Sequence, residues 1–228
     1  MPRGFFITFE GIDGCGKTTQ AKRLATHLRE RKFDVITTRQ PGGTPFGDKL
    51  RSLLLDSRAM ALSPQTELAL MFADRAQCIQ EVIAPALERG AAVICDRFTD
   101  STEAYQGGGR GLGSAAVLEM HRVVCGNLQP DLTLLLEPGM EGCLERARAR
   151  NHAKMARGAN ENRFEQEQEG FFRAVAEKYR QIAVREPHRV VAIEGDGTIA
   201  EVQARIIETV EARMNTWASQ PAPASVAS

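Results

Sequence analysis

The residues best suited to chemistry lie near the N-terminus, in the segment FEGIDGCGKTTQ at positions 9–20. The spacing of Gly11, Gly16, Lys17 and Thr18 matches a glycine-rich loop whose backbone N–H groups surround phosphate oxygens. In such a loop the lysine bridges the terminal phosphates of a nucleotide, and the threonine hydroxyl is a ligand for Mg²⁺. The nucleotide-binding residues predicted from this pattern are Gly11, Ile12, Asp13, Gly14, Cys15, Gly16, Lys17, Thr18 and Thr19.

Asp13 is unexpected in this loop, because its carboxylate carries the same sign of charge as a phosphate. An ionised carboxylate that faced the phosphate oxygens would be strongly destabilised in a partly desolvated site. We therefore expect the Asp13 side chain to point away from the phosphates, towards a hydrogen-bond donor such as a sugar hydroxyl.

A second candidate site follows the apolar run at positions 93–95, which ends in Asp96 and Arg97. The carboxyl ends of strands in an open α/β sheet face the ligand crevice. Asp96 can therefore hold magnesium through water, and Arg97 can reach a phosphate. A surface ion pair at a strand end is the alternative for these two residues. The glycine run at 107–109 is equally consistent with a plain connector.

The composition favours a single α/β domain. The chain has 228 residues, 43% of them apolar, which is enough for one sizeable core. Five short apolar runs read as buried parallel strands, because they are nearly continuous in apolar residues. These predicted strands are 4–10, 34–38, 91–96, 131–137 and 189–194. Helical patterns alternate with them, as in a wound α/β sheet. We expect one domain over residues 1–216 and a disordered tail over 217–228.

Charge and cysteine usage exclude several classes of partner. Lys plus Arg and Asp plus Glu each number 29, so no net field attracts nucleic acid or an anionic membrane. The five cysteines form no Cys-x-x-Cys pair, which is typical of free thiols in a reducing cytoplasm. No apolar run approaches the ~18 residues of a membrane span. We expect a cytoplasmic protein that binds neither nucleic acid nor a membrane.

Several segments in a fixed order resemble the thymidylate kinase family. They are FEGIDGCGKTTQ, TTRQPGGTPFGDKLRSLLL, LMFADRAQ, VICDRFTDSTEAYQGGGRG and LQPDLTLLLE. The resemblance extends from Phe6 to about Tyr179. It implies a three-layer α/β fold like that of P-loop NTP hydrolases, with a five-stranded parallel sheet and a helical or loop lid. It also implies a homodimer that uses Mg²⁺ and transfers the γ-phosphoryl group of ATP to dTMP.

The resemblance also implies roles for individual residues. Phe72 would pack on the thymine ring, Arg75 would contact a base carbonyl, and Asp13 would contact the 3′-hydroxyl. The full set of dTMP-binding residues implied is Asp13, Arg39, Phe72, Arg75, Arg97, Ser101, Tyr105 and Gln106. Two positions depart from the family pattern: Gln40 replaces a usual Glu, which affects the positioning of Arg39, and Glu137 replaces a usual Asp.

Gly14 stands where some family members have arginine. The positive charge that neutralises the transferred phosphoryl group must therefore come from outside the loop. The basic stretch RARARNHAKMARGANENRFEQ, at 146–166, is predicted to form a mobile lid. Arg163 is the first choice for the missing charge and Arg157 the second, whereas Arg146 and Arg148 are equally consistent with a solvated helix. The catalytic residues predicted are Lys17, Arg97, Arg163 and Arg157, and the metal ligands are Thr18 and Asp96.

Other nucleotide-binding classes fit the sequence less well. A signalling GTPase would need the guanine-reading string N-K-x-D, which does not occur. A non-catalytic nucleotide-binding regulator would not need Lys17, Thr18, Asp96 and Arg97 together. The closest alternative is a kinase for another nucleoside monophosphate, because its donor half would look alike.

Overall fold

The computed structural model of the chain describes residues 3–56, 62–155, 163–164 and 167–218. Five strands within these ranges form one sheet in the order β2-β3-β1-β4-β5, and every neighbouring pair is parallel. The strands are Phe6–Glu10 (β1), Val35–Arg39 (β2), Ala92–Asp96 (β3), Leu132–Glu137 (β4) and Val190–Glu194 (β5). The predicted α/β fold with five parallel strands is confirmed.

Helices surround this sheet in the described part of the chain. They are Lys17–Glu30 (α1), Pro45–Leu55 (α2), Pro64–Cys78 (α3), Ala84–Glu88 (α4), Thr99–Thr102 (α5), Gly113–Cys125 (α6), Met140–Met155 (α7), Glu169–Arg185 (α8) and Ile199–Ala218 (α9). Helix α3 packs against both α2 and α6, and α1 packs against α9. No helix within the described ranges is long and apolar enough to cross a membrane.

The strand predictions succeed because burial on both faces demands continuous apolar residues. All five residues of β1 are buried, and so are the first five residues of β4. Strand β1 begins at Phe6, two residues after the predicted start at Gly4. In α1 the apolar face lies against the sheet, and Leu24 and Leu28 on it are almost completely buried.

The glycine run at 107–109 is part of a helical segment and not a plain connector. Helix α5 continues into a π-helical segment, Glu103–Gly109, which packs against α8. A Cβ atom on Gly109 would lie 2.4 Å from the Phe171 ring, and one on Gly108 would lie 2.9 Å from the Lys178 side chain. Only glycine allows α8 to approach this closely. The close approach places Tyr105 and Gln106 at the carboxyl edge of the sheet, where they line a cleft.

The C-terminal helix extends slightly further than the sequence suggests. The expected tail begins at 217, but α9 continues to Ala218, and the Trp217 ring packs edge-on against Phe5 with 5.5 Å between ring centroids. An apolar contact with the core thus extends the helix beyond the predicted boundary. Residues 219–228 lie outside the described part of the chain.

Candidate active site

A large cleft of about 1020 Å³ opens along the carboxyl edge of the sheet. Its walls come from the loop between β1 and α1 and from segments that follow β2, β3, β4 and β5. The predicted nucleotide loop therefore shares one space with the residues after β3, as expected for parallel strands that end at the same edge.

The phosphate-binding loop depends on left-handed backbone conformations. Gly11, Gly14 and Gly16 have φ values of 131°, 81° and 100°, which residues with a Cβ rarely adopt. Lys17 is almost buried, and its Nζ donates hydrogen bonds to the carbonyl oxygens of Gly11 at 3.0 Å and Ile12 at 2.8 Å. The ammonium group is therefore held over the loop, as a phosphate-binding lysine must be.

Gly14 is also required by its packing against α7. A Cβ atom on Gly14 would lie 1.9 Å from the carbonyl oxygen of Cys143. The side chain of Arg146, one turn further along α7, reaches back and donates from Nε to the Gly14 carbonyl oxygen at 2.9 Å. A guanidinium from α7 therefore stands beside the loop at the point where the loop has no cation of its own.

The predicted metal ligands lie together. The Thr18 Oγ1 donates to the Asp96 carboxylate at 2.5 Å, although the two residues are 78 positions apart in the chain. A hydroxyl and a carboxylate beside a phosphate-binding loop are oxygen donors of the kind that Mg²⁺ prefers. No cluster of three or more His, Cys, Asp or Glu side chains suited to a metal occurs in the described ranges.

Asp13 points away from the phosphate-binding backbone, towards Arg97. One carboxylate oxygen accepts from Arg97 Nη2 at 2.8 Å, and the other accepts from the Tyr105 hydroxyl at 3.0 Å. Burial raises the pKa of Asp13, but the positive charges of Arg97 and Lys17 and these hydrogen bonds outweigh it. The pKa of this carboxyl is therefore well below its ordinary value, and Asp13 stays ionised.

Arg97 is held in a strained conformation by several oxygens. Its φ of 74° is unusual for a residue with a side chain. The next N–H, that of Phe98, donates to the buried carboxylate of Glu10 at 2.7 Å, which fixes the turn. The guanidinium itself donates to Ser101 Oγ at 2.8 Å and to the Tyr179 hydroxyl at 3.2 Å. Arg97 and Ser101 both line the cleft, as the sequence predicts.

Arg75 lies deep in the cleft wall with only 1% of its surface exposed. Its Nε donates to Gln40 Oε1 at 2.8 Å, and its Nη2 donates to the Phe98 carbonyl at 3.1 Å and the Thr102 hydroxyl at 2.9 Å. Its Nη1 has no hydrogen-bond partner among the described residues. Arg75 therefore retains the two N–H donors of Nη1 for a ligand.

Gln40 acts on Arg75 and not on Arg39. The expectation that Gln40 affects the positioning of Arg39 is wrong, because Gln40 is buried and its amide oxygen accepts from Arg75. Arg39 instead donates to Asp48 at 3.2 Å, with about half of its side chain exposed. Arg39 does line the cleft.

Phe72 does not line the cleft in this structure, in contrast to the sequence-based expectation. Its side chain is fully buried, packs with Leu68 and Val117, and lies under the Arg75 guanidinium, whose Cζ is 4.9 Å from the ring centroid. Met71 lines the cleft instead. Residues three and four apart share a helix face, so both Phe72 and Met71 lie near Arg75. Packing against Val117 of α6 buries Phe72 and leaves Met71 at the cleft, and no spacing in the sequence distinguishes the two.

Arg163, the first choice among the lid arginines, also differs from expectation. Arg163 does not line the cleft: its Nη2 donates to buried Glu67 at 2.5 Å, and its Nη1 donates to the Leu54 carbonyl at 3.1 Å. Arg157 lies outside the described residues. Phe164 does line the cleft, and its ring packs edge-on against Tyr105 with 5.7 Å between centroids. The sequence analysis assigned the phosphate-binding role in this stretch to Arg163. In the structure, Arg146 contacts the phosphate-binding loop.

Asp74 is a buried acid next to the cleft. Its Oδ1 accepts from the Gly42 N–H at 2.8 Å, and its Oδ2 has no partner among the described residues. Burial, the largest influence, raises the pKa of Asp74 to about 6 from an ordinary 3.8. The ionised form of Asp74 is therefore disfavoured in the folded state. The stability of the contact between helix α3 and the loop at Gly42 depends on pH for this reason.

Comparisons with known proteins agree with one another. The thymidylate kinase family model matches residues 9–206. The chain is 48% identical over 203 residues to thymidylate kinase of Ectopseudomonas mendocina (strain ymp), which covers 89% of this chain and 93% of that protein. It is 45% identical over 213 residues to thymidylate kinase of Pelobacter propionicus, which covers 93% and 96%. The crystal structure of thymidylate kinase from Ehrlichia chaffeensis matches with a TM-score of 0.73 at 32% identity, over 92% of this chain and 99% of that chain.

The Asp74→Asn substitution should change how stability depends on pH. The raised pKa means that Asp74 favours the folded state below about 4 and that this contribution is lost as the pH rises through about 6. The free energy of unfolding of the native protein should therefore rise relative to Asp74→Asn by up to about 3 kcal/mol between pH 7 and pH 4. Chemical denaturation of both proteins across this range measures the difference, with exposed Asp34→Asn as control. A difference that does not vary with pH would contradict the assignment.

Proposed function

The chain belongs to the thymidylate kinase family, and we propose that its cleft transfers the γ-phosphoryl group of ATP to dTMP, giving dTDP and ADP, in dTTP synthesis. One geometric observation supports this proposal most strongly. A phosphate-binding loop with its lysine, the buried Arg75 and the partly buried Arg97 line the same cleft. The loop supplies a donor end and the arginines supply an acceptor end, so two nucleotides can meet inside one space.

The donor end binds ATP through the loop backbone and Lys17. The loop N–H groups and the first turn of α1 favour negative charge. Thr18 and Asp96 would hold Mg²⁺, with Asp96 acting directly or through water, and they fit this ion because their oxygens already meet at 2.5 Å. Bound there with ATP, the ion would neutralise charge on the phosphate oxygens.

The acceptor end places the dTMP phosphate near Arg97 and Arg39. Asp13 keeps the Arg97 guanidinium oriented, and both of its oxygens are already engaged within the protein. A carboxylate oxygen can accept a second hydrogen bond, so contact with the 3′-hydroxyl remains part of the proposal. No general base is required, because a phosphate monoester with a second pKa near ~6 is largely a dianion at neutral pH. Catalysis then consists of alignment and charge neutralisation.

The base would lie deeper in the cleft, between apolar and polar walls. Met71 supplies an apolar surface in place of the expected Phe72, and the free donor of Arg75 matches a base carbonyl. Tyr105 and Phe164 form a packed aromatic pair beside the sugar position, where bulk would exclude a ribose 2′-hydroxyl. Gln106 and Ser101 complete the wall. This arrangement supports a deoxynucleotide as acceptor.

A panel of nucleoside monophosphates tests the function. With ATP and Mg²⁺, kcat/KM measured by coupled ADP release should be highest for dTMP. The value for dUMP should be about 10- to 100-fold lower, because a methyl group in an apolar pocket contributes about 1–3 kcal/mol. Ribothymidine monophosphate, dCMP and dGMP should be poorer still. Equal or better turnover of dCMP would refute the assignment.

The Arg146→Ala substitution tests whether Arg146 supplies the positive charge at the ATP phosphates. Its guanidinium lies beside the loop through the Gly14 carbonyl, so its loss should reduce kcat by on the order of 10²-fold or more at saturating substrates. The dTMP KM should change much less, because Arg146 lies at the donor end. Steady-state kinetics with each substrate varied separately measures both quantities.

Arg148→Ala is the matched control for this variant. Arg148 lies two residues further along α7, is exposed and does not line the cleft. It should retain near-normal kcat. If Arg146→Ala also retains near-normal kcat, the donor charge does not come from the described part of α7.

We also propose that the protein is a homodimer and that it is cytoplasmic. Five exposed large apolar side chains lie on the two helices that flank α3: Phe46 and Leu53 on α2, and Leu118, Val123 and Val124 on α6. Val123 has 64% of its surface exposed. A second copy of the chain would cover these side chains. The five free, buried cysteines support a reducing compartment.

Val123→Glu should separate the two copies, because a charge would be placed in an apolar interface. Light scattering after size-exclusion chromatography should give twice the mass of one chain for the native protein and the mass of one chain for the variant. Val184→Glu is the control, since Val184 is 82% exposed and belongs to α8, which is not one of the two helices of the proposed interface. A native mass of one chain, or a dimer unaffected by Val123→Glu, would contradict the proposed interface.

A further inference from the structure

Glu67 is a buried acid that does not line the cleft but contacts a residue that does. It lies in the first turn of α3 with no exposed surface. One carboxylate oxygen accepts from Gln106 Nε2 at 2.7 Å and from Arg110 Nε at 3.3 Å. The other accepts from Arg163 Nη2 at 2.5 Å. These contacts join α3, the π-helical segment and the segment at 163–164.

The Glu67 carboxylate determines the orientation of the Gln106 amide, that is, whether its nitrogen or its oxygen faces Glu67. An amide presents two donors on its nitrogen and an acceptor on its oxygen, whereas an ionised carboxylate only accepts. Glu67 forms ion pairs with two arginines, Arg110 and Arg163, and its carboxylate accepts from both. The NH₂ group of Gln106 must therefore face Glu67. The Gln106 oxygen has no hydrogen-bond partner among the described residues, and Gln106 lines the cleft.

The cleft therefore offers a fixed pair of groups to a base. Arg75 retains a donor at Nη1, and Gln106 retains an acceptor at Oε1. A thymine ring carries a carbonyl acceptor next to the N3–H donor, which is the complementary pattern. A cytosine ring carries an amino donor next to an unprotonated N3 acceptor, which is the opposite pattern. A reversed Gln106 amide would place a donor towards N3 and would match cytosine at that position.

We propose that Glu67 is a positioning residue that sets base selectivity by holding the Gln106 amide with its oxygen towards the acceptor base. The inference rests on the proposed function. Arg110 and Arg163 serve it by fixing the carboxylate from two sides. Arg163 thus acts at the acceptor base, through Glu67, and not at the ATP phosphates.

Glu67→Gln tests this role, because a neutral amide can donate or accept and no longer dictates the orientation of Gln106. The ratio of kcat/KM for dTMP to that for dCMP should fall by about tenfold or more, mainly through a higher dTMP KM. The ATP KM should stay within about twofold. Glu119→Gln is the matched control, since Glu119 also pairs with an arginine but is exposed on α6, and it should leave the ratio unchanged.

A double-mutant cycle distinguishes selectivity from general loss of structure. In the background of Gln106→Met, which has no amide to orient, Glu67→Gln should lower the ratio by less than about twofold further. If Glu67→Gln does not fold, Glu67→Asp replaces it in the same cycle, because the shorter carboxylate also releases the amide.

The outcomes separate the inference from the function on which it rests. If the native protein does not phosphorylate dTMP, the proposed function fails. If it does and the ratio is preserved in the Glu67 variant, the positioning role is wrong. An equal loss of selectivity with and without the Gln106 amide would also overturn it, because Glu67 would then act through packing alone.

Discussion

The hydrogen bonds of the Arg97 guanidinium are the interactions on which the rest of the site depends. It contacts the phosphate-binding loop through Asp13, helix α5 through Ser101, the π-helical segment through Tyr105 and helix α8 through Tyr179. The phosphate-binding loop and α8, whose contacting residues are 84 and 82 positions from Arg97, therefore share one partly buried cation with α5 and the π-helical segment. Any change in the position of this group would move the donor loop and the acceptor wall together.

A partly buried cation of this kind requires compensating negative charge, and nearby carboxylates supply it. Asp13 pairs with Arg97 directly. Glu10, at the end of the central strand, accepts from Ser101, from Tyr179 and from the backbone after Arg97. Burial, followed by the nearby charge of Asp100, raises the pKa of Glu10. The central strand therefore ends in an acid that is committed to the geometry of the site, and this explains why a glutamate interrupts an apolar run.

The sequence predicted the sheet well because each strand is specified locally. Buried parallel strands need nearly continuous apolar residues, and the runs that form β1, β3 and β4 have them, whereas β2 and β5 are partly exposed and contain shorter apolar runs. The phosphate-binding loop was equally accessible, since its glycines and Lys17 are consecutive. Even Asp13 could be oriented from charge repulsion alone, although Arg97 as its partner is a contact over 84 positions.

The errors arose where a side chain's direction depends on the tertiary structure. Phe72 and Met71 are adjacent and both apolar, so only the rotation of α3 against α6 decides which one faces the cleft. Arg163 and Arg146 are both arginines of one basic stretch, and their partners, Glu67 and the Gly14 carbonyl, lie 96 and 132 positions away. Gln40 was misjudged for the same reason, because Arg75 is its neighbour only in the folded chain.

The contact between Gly14 and α7 limits how this site can change during evolution. The carbonyl of Cys143 occupies the space that any side chain at position 14 would need. A cation carried by the loop and a cation carried by α7 are therefore alternatives, since a larger residue at 14 would push away the helix that carries Arg146. Neither arrangement can be reached from the other by a single substitution without passing through a poorly packed intermediate. Steric exclusion at position 14, and not the chemistry of phosphoryl transfer, therefore determines that the cation near the loop comes from α7 in this chain.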